Sequence, residues 1–404
     1  MSDLSEPRLR TLAETALKLA RSAPSGQLAL ARLAETIDPR WLPGAERHGL
    51  DDELRRAREL AAEPVPFKAI ERALKAAWGT APTRELDELE PEPAAVTQIA
   101  QVHRGVLDGE PVAVKVIRPS IAARVRQDLA LLDALSRPLA AALPGLDAAR
   151  MIAEVRERVL DELDLDSEAE VQRRFHRALR DHPTLHVAAP VSRLAHHTVL
   201  VTPWLTGTPL ESLAGRARDR AAALYVAFVL GGAHHGLAPA AADRHDALLL
   251  ADGRLALLDF GAVGTTESDR IAASADALAA LRGDDPDRYG SALQRLGVLA
   301  ATEGEAALAI ARRGLGGFAD AGSSALDDDA VVAARDRLAE HPAELVRLAT
   351  TMTLAPGDLW PLRGVSGVFA AVALSGGAAA DWLRLAGSAL REGWDAARHI
   401  ERFL

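Results

Sequence analysis

Apolar residues recur at helical spacing at the start of the chain, where Leu9, Leu12, Ala16 and Leu19 share one face over residues 8 to 23. Pro24-Ser25-Gly26-Gln27 interrupts that pattern and leads into a second periodic run through Leu33. Pro39, Pro43 and the polar stretch to Gly49 read as a connection, and further helices are expected near Asp51 to Ala62 and Pro66 to Trp78. Glu90 to Pro93, charged and proline-bearing, reads as a boundary. From Ala94 the pattern shortens to β-prone runs, Val96 to His103 and Pro111 to Ile117, around an Asp108-Gly109 turn.

Helical periodicity returns over Ser120 to Ala142 and Asp147 to Leu160, and an acidic stretch continues towards Phe175. On one continuous helix Glu157, Asp161, Asp164 and Glu168 would share a face, because steps of three and four residues return to the same side. Four like charges repel, so a cationic partner is expected beside them. Strand-like runs follow at Leu185 to Val191 and His197 to Thr202, the latter ending in Pro203-Trp204-Leu205-Thr206-Gly207. The remainder reads as helical except for two apolar runs flanking Asp252-Gly253, a strong hairpin signal, whose second strand ends in Asp259-Phe260-Gly261.

Composition narrows the function classes. The 404 residues are 49% hydrophobic, enough for a large core. A formal charge of −10 argues against a nucleic-acid binder, which needs a basic face to displace counterions. The absence of cysteine excludes disulfides and thiolate metal sites, and with a polar start at Met1 to Arg10 it fits a cytoplasmic setting. Two long runs without charged residues, Ala221 to Ala242 and Gly364 to Ala380, are rich in Gly and Ala and read as buried core helices, not membrane spans. The adjacent pairs His196-His197 and His234-His235 lack the spacing that puts two zinc ligands on one helix face. Arginine is abundant, yet Lys18, Lys68, Lys75 and Lys115 are the only lysines, and Lys115 interrupts an apolar strand. A compact ammonium at that position suggests a site.

Several stretches occur in the order found in one known family: Ile99-Ala100-Gln101-Val102-His103-Arg104, Val112-Ala113-Val114-Lys115-Val116-Ile117-Arg118-Pro119, Glu162-Leu163-Asp164 with Glu168-Ala169, Val199 to Thr202 leading to Gly207-Thr208-Pro209-Leu210, and Asp252-Gly253-Arg254 through Asp259-Phe260-Gly261. By these the chain resembles the UbiB/AarF family of atypical protein-kinase-like proteins, from about residue 8 to the C-terminus. The resemblance implies a two-lobed α+β kinase-like fold with a small antiparallel N-lobe sheet, a helical C-lobe and an N-terminal helical extension. The corresponding divisions fall at 1–90 for the extension, 91–205 for the N-lobe with inserted helices and 206–404 for the C-lobe. It further implies ATP (or ADP) with Mg²⁺ as cofactors: Lys115 on the phosphates with Glu168 as its partner, Glu162 and Asp164 matching the family's Glu-x-Asp element, Asp259 on the metal, and the segment around Trp204 against the base.

Departures from the family pattern are as informative. The His-Ala-Asp-Pro-His-Pro-Gly-Asn element aligns with residues 239–246, so the catalytic aspartate becomes Ala241 and the metal-binding asparagine becomes Asp246. A methyl group cannot accept a proton, whereas a carboxylate still offers oxygen to Mg²⁺. Asp243 and His245 flank the lost base as candidate substitutes. The Lys-x-Gly-Gln element keeps Gln27 but not its lysine, and the small-residue loop over the phosphates reads Ala95-Val96-Thr97-Gln98. Three readings follow: a nucleotide-binding pseudokinase or weak ATPase linked to isoprenoid quinone or lipid metabolism, an active small-molecule kinase using Asp243 or His245, and a structural interaction protein without nucleotide. Expected partners are a nucleotide and a protein or lipid component of the quinone pathway, with peripheral membrane contact through the extension left open and no nucleic acid or transmembrane segment.

Overall fold

The computed structural model describes residues 63 to 404 except 143, 321 and 356, together with Thr11, Glu14, Thr15, Lys18 and Asp52, all helical. The other expectations for the N-terminal extension, Gln27 among them, lie outside the described residues.

Helix α1 (Phe67–Trp78) precedes a four-stranded sheet built from β1 (Glu88–Val96), β2 (Ala100–Leu107), β3 (Glu110–Ile117) and, later in the chain, β5 (Val199–Pro203), in that spatial order and antiparallel throughout. Alternation along β3 sends Val112, Val114 and Val116 to one side, where they pack with Val199 and Val201 against Ile70 and Leu74 of α1. Lys115 points to the opposite face, towards the C-lobe. The proposed boundary at Glu90 to Pro93 is part of β1 instead. As an edge strand it tolerates residues without an N–H, and its pairing with β2 is irregular around Pro93.

Between β3 and β5 lie α2 (Ile121–Leu131), α3 (Ser136–Ala142), α4 (Ala148–Asp161), α5 (Leu165–Leu179) and β4 (Leu185–Val187). The run expected over Ser120 to Ala142 is divided by a 3₁₀ turn at Leu132–Leu135. The acidic face expected over Glu157 to Glu168 does not form. Asp161 closes α4, and Asp164 accepts backbone N–H bonds from Asp166 and Ser167 as the N-cap of α5. An aspartate so close to a helix start is favoured as a cap over a place in a helix interior.

The C-lobe is helical. Its centre is α6 (Gly215–Gly231), buried on all sides from Ala221 onward, which accounts for the first long uncharged run. The strand β6 (Gly207–Pro209) precedes it, and β7 (Ala238–Pro239), β8 (Ala247–Leu250), β9 (Leu255–Leu257) and β10 (Val263–Gly264) follow. Strands β4, β9, β8 and β6 form a second sheet in that order, and β7 pairs with β10. The Asp252-Gly253 hairpin forms as expected, with Leu249 opposite Leu255 and Gly253 at φ 82°. Next come α7 (Ser268–Gly283), α8 (Pro286–Arg295), α9 (Gly304–Leu315), α10 (Asp328–Ala339), α11 (Pro342–Thr351), α12 (Leu359–Leu374) and α13 (Trp382–Glu392). Helix α12 contains most of the second uncharged run and lies on β7 and the residues that follow it, so closely that a Cβ at Gly364 would collide with the Pro239 carbonyl. No helix among the described residues is long and apolar enough to cross a membrane.

Candidate functional site

Lys115 reaches the cleft from the centre of β3, and α5 brings Glu168 to meet it. Leu165 and Ala169 of α5 pack with Ile117 and Leu200 on the sheet, and the Leu165 N–H donates to the His197 carbonyl. One turn past its Asp164 cap, Glu168 takes the ammonium at 2.8 and 2.9 Å. Glu168 is only 4% exposed. Burial pushes its carboxyl up to about 7, Asp259 adds to the rise, and Lys115 with a backbone hydrogen bond from Phe260 opposes it. Burial acts to lower the Lys115 ammonium, but Asp259 and Glu168 outweigh it and hold its pKa above the usual lysine range.

The hairpin delivers Asp259 to the same point, with its Oδ1 3.4 Å from Lys115 Nζ. Gly261 donates its N–H to that oxygen at 3.1 Å, and a Cβ there would sit 3.2 Å from Glu168 Oε2. Between them Phe260 is buried against Phe175 of α5 at a ring separation of 5.0 Å, which locks the Glu168 helix to the Asp259 turn. Asp246 begins the hairpin on the other side. Its Oδ2 accepts the Asp243 N–H at 2.8 Å, and its carbonyl accepts the Leu258 N–H. Burial first, then Asp259 and Asp243, raises the Asp246 carboxyl well above the ordinary aspartate range. A buried carboxyl group that neighbouring carboxylates drive towards protonation is an electrostatic setting a divalent cation would relieve. Mg²⁺ is commonly held by one or two carboxylates completed by phosphate oxygens and water, and Asp246 with Asp259 fits that donor set. Among the described residues no group of three or more metal-type side chains is placed to hold an ion unaided.

The lost-base position has apolar neighbours. Ala241 packs beside a cluster of Ala240, Ala262, Leu359 and Trp360, with Met151 and Val155 of α4 alongside. The candidate substitutes make contacts of their own. The His245 ring lies 3.2 Å from Glu211 through Nδ1, and its Nε2 accepts from Arg244 Nε at 3.2 Å. Asp243 Oδ1 accepts the His245 N–H at 3.0 Å, and Tyr225 donates to the Asp243 carbonyl.

Glu162 and Asp164 do not join the Lys115 cluster through the contacts they make. Glu162 pairs with Arg363 of α12 at 3.6 Å, the two being 6% and 3% exposed, and Asp164 caps α5. Trp204 donates its backbone N–H to Pro111 and carries Arg104 over its ring at 5.4 Å. Gln98 lies in the β1–β2 turn, where its carbonyl and that of Thr97 accept from Arg118 Nη1. Arg118 also donates to the Glu63 carbonyl at 2.8 Å, tying that turn to the chain before α1. This brace has no local signature in the sequence beyond the position of Arg118, three residues after Lys115 in Val112 to Pro119.

Residues 59–291 match the ABC1 atypical kinase-like domain. The chain is 30% identical over 250 residues to the chloroplastic aarF domain-containing protein kinase of Arabidopsis thaliana, covering 58% of this chain and 46% of that one. It is 33% identical over 134 residues to the probable protein kinase UbiB of Vibrio cholerae, covering 32% and 25%. The chain thus spans about half the length, or less, of the curated relatives it matches. The Mycobacterium tuberculosis protein Rv3197, solved in complex with erythromycin, shares the fold with a TM-score of 0.61 at 22% identity and 89% coverage of both chains. Kinase-like lobes, the ordered motifs and a match over more than half its length together place this chain in the ABC1/UbiB family of atypical kinases.

Proposed function

We propose that the protein binds a magnesium nucleotide, ATP or ADP, in the cleft between its lobes and acts as a pseudokinase, without transferring phosphate. The observation behind this reading is the convergence of Lys115, Glu168 and Asp259 within 3.4 Å, together with an Ala241 that is packed against apolar side chains. Lys115, oriented by Glu168, would hold the phosphates, and Asp259 and Asp246 would hold Mg²⁺, whose role is to neutralise phosphate charge. On the acceptor side no carboxylate stands at 241 to take a hydroxyl proton, a role worth roughly 10²- to 10⁴-fold. The ring of His245, held by Glu211 and Arg244, does not replace it. Binding then changes lobe closure and so partner binding. Family resemblance points to a protein or lipid partner in isoprenoid quinone metabolism.

The test combines a thermal shift with a phosphate-release assay on the purified chain. Mg²⁺-ATP at about 100 times Kd should stabilise the fold by about 2.7 kcal/mol. Phosphate release should match that of Asp259→Asn, and a rise in Ala241→Asp would identify the gap at 241 as the reason transfer is lost, whereas no change would count against the alignment at that position. Release above the Asp259→Asn background would overturn the pseudokinase reading, and no stabilisation by any nucleotide would favour a purely structural protein.

A further inference from the structure

Helix α6 carries one polar side chain in its buried stretch. From Ala221 to Gly231 every residue is small or apolar except Tyr225, one of two tyrosines in the chain and only 2% exposed. A phenylalanine would fill the same space without the cost of burying a hydroxyl. That hydroxyl has a partner outside the helix: it donates to the Asp243 carbonyl at 3.0 Å.

The carbonyl belongs to a turn closed on itself. The Asp246 N–H donates to the same oxygen at 3.1 Å, and the Asp243 N–H donates to Asp246 Oδ2 at 2.8 Å. Asp243 Oδ1 accepts the His245 N–H at 3.0 Å. Asp243 thus grips Asp246 through both its N–H and its carbonyl, so the direction of the Asp246 carboxylate follows from the setting of the Asp243 backbone. From the hairpin side the Leu258 N–H holds the Asp246 carbonyl at 3.0 Å, and from the helical core Tyr225 holds Asp243.

The element that aligns with residues 239–246 has prolines at the places of Ala242 and Arg244. A proline ring fixes φ, and without it the chain on either side of Asp243 has more conformations to choose from. The Tyr225 hydrogen bond restrains the backbone at the residue between those two positions.

We propose that Tyr225 is a positioning residue of the cleft: by fixing the Asp243 backbone it aims the Asp246 carboxylate at the divalent cation of the bound nucleotide. The proposal rests on the nucleotide-binding reading above and adds to it a core residue that acts through another side chain.

Calorimetric titration of the full chain with Mg²⁺-ATP, and with ATP in EDTA, tests this. Tyr225→Phe keeps the ring in the core and removes only the donor, so it should melt within about 4 °C of wild type. It should nevertheless bind Mg²⁺-ATP about 10-fold more weakly, the lower end of the loss expected when a group orienting a metal ligand is removed. Its affinity for metal-free ATP should stay within about two-fold of wild type. On an Asp246→Ala background the same substitution should change Mg²⁺-ATP affinity by less than about two-fold, because the carboxylate it aims is already gone. Val226→Ala, which opens a cavity at the next residue of the same helix, should melt lower and bind Mg²⁺-ATP as wild type does. Undiminished Mg²⁺-ATP affinity in Tyr225→Phe would overturn the proposal and leave the nucleotide reading intact. An equal loss on the Asp246→Ala background, with metal-free ATP, or in Val226→Ala would reduce the hydroxyl to a support of the fold and overturn it too. A wild type that binds no nucleotide would instead remove the nucleotide reading, and this proposal with it.

Discussion

Replacing Lys115 with alanine removes an ammonium lying between a buried carboxylate and a half-exposed one, and the cost should depend on pH in a defined direction. In the wild type Glu168 is pushed up to about 7 even though Lys115 pulls it down, so without the ammonium it titrates higher still. Near pH 5 the carboxyl is protonated in both proteins, and the variant loses hydrogen bonds and stem packing, about 1 kcal/mol. Near pH 8 the wild type buries an ion pair, whereas the variant must bury an unpaired anion or capture a scarce proton, raising the cost to about 3 kcal/mol. The sign follows from proton binding. With its pKa raised from 4.5 to about 7, Glu168 binds more protons folded than unfolded across that interval. Its contribution to wild-type stability is therefore full below the lower value and declines as pH climbs through the upper one. Lys115→Ala prolongs that decline to higher pH, and Lys115→Met should do the same with the stem packing retained. Urea unfolding followed by tryptophan fluorescence at several pH values measures the difference. A destabilisation that is the same at acid and alkaline pH would refute the coupling.

Two other perturbations separate the site from its supports. Asp164→Ala removes the α5 cap and should lower stability by about 1 kcal/mol, with weaker nucleotide-induced stabilisation because Glu168 lies on the first turn of that helix. Chemical denaturation with and without Mg²⁺-ATP reads both effects, and an unchanged ligand response would show that the cap does not position Glu168. Gly364→Ala forces a methyl into the Pro239 carbonyl and should cost more than about 2 kcal/mol, since both backbones are fixed by their own elements. A wild-type melting curve for that variant would contradict the packing of α12 on the segment containing Ala241.

Much of the site was legible because its residues interrupt local patterns. Lys115 stands out as an ammonium in an apolar alternating strand, and Asp259 ends a hairpin whose Asp-Gly turn is nearly self-specifying. The acidic segment was harder. Charge and periodicity alone put Asp164 and Glu168 on one helical face, yet a helix break makes Asp164 a cap, leaves Glu168 to the lysine as the motifs implied, and turns Glu162 to a buried arginine. Pro91 and Pro93 signalled a boundary because a local reading cannot tell an edge strand, which has no neighbour on one side, from a loop.

The order of motifs, the alternation that puts a lysine opposite a valine ladder, and the loss of a carboxyl at 241 are properties of the chain itself, set by residue type and spacing. Tertiary structure alone decided where Glu162 and Asp164 turn instead, that Arg104 crosses to Trp204, and that side chains of α4 and α12 pack beside Ala241. Those outcomes depend on contacts between segments far apart in sequence, where burial and electrostatic pairing operate only once the lobes bring them within a few ångströms.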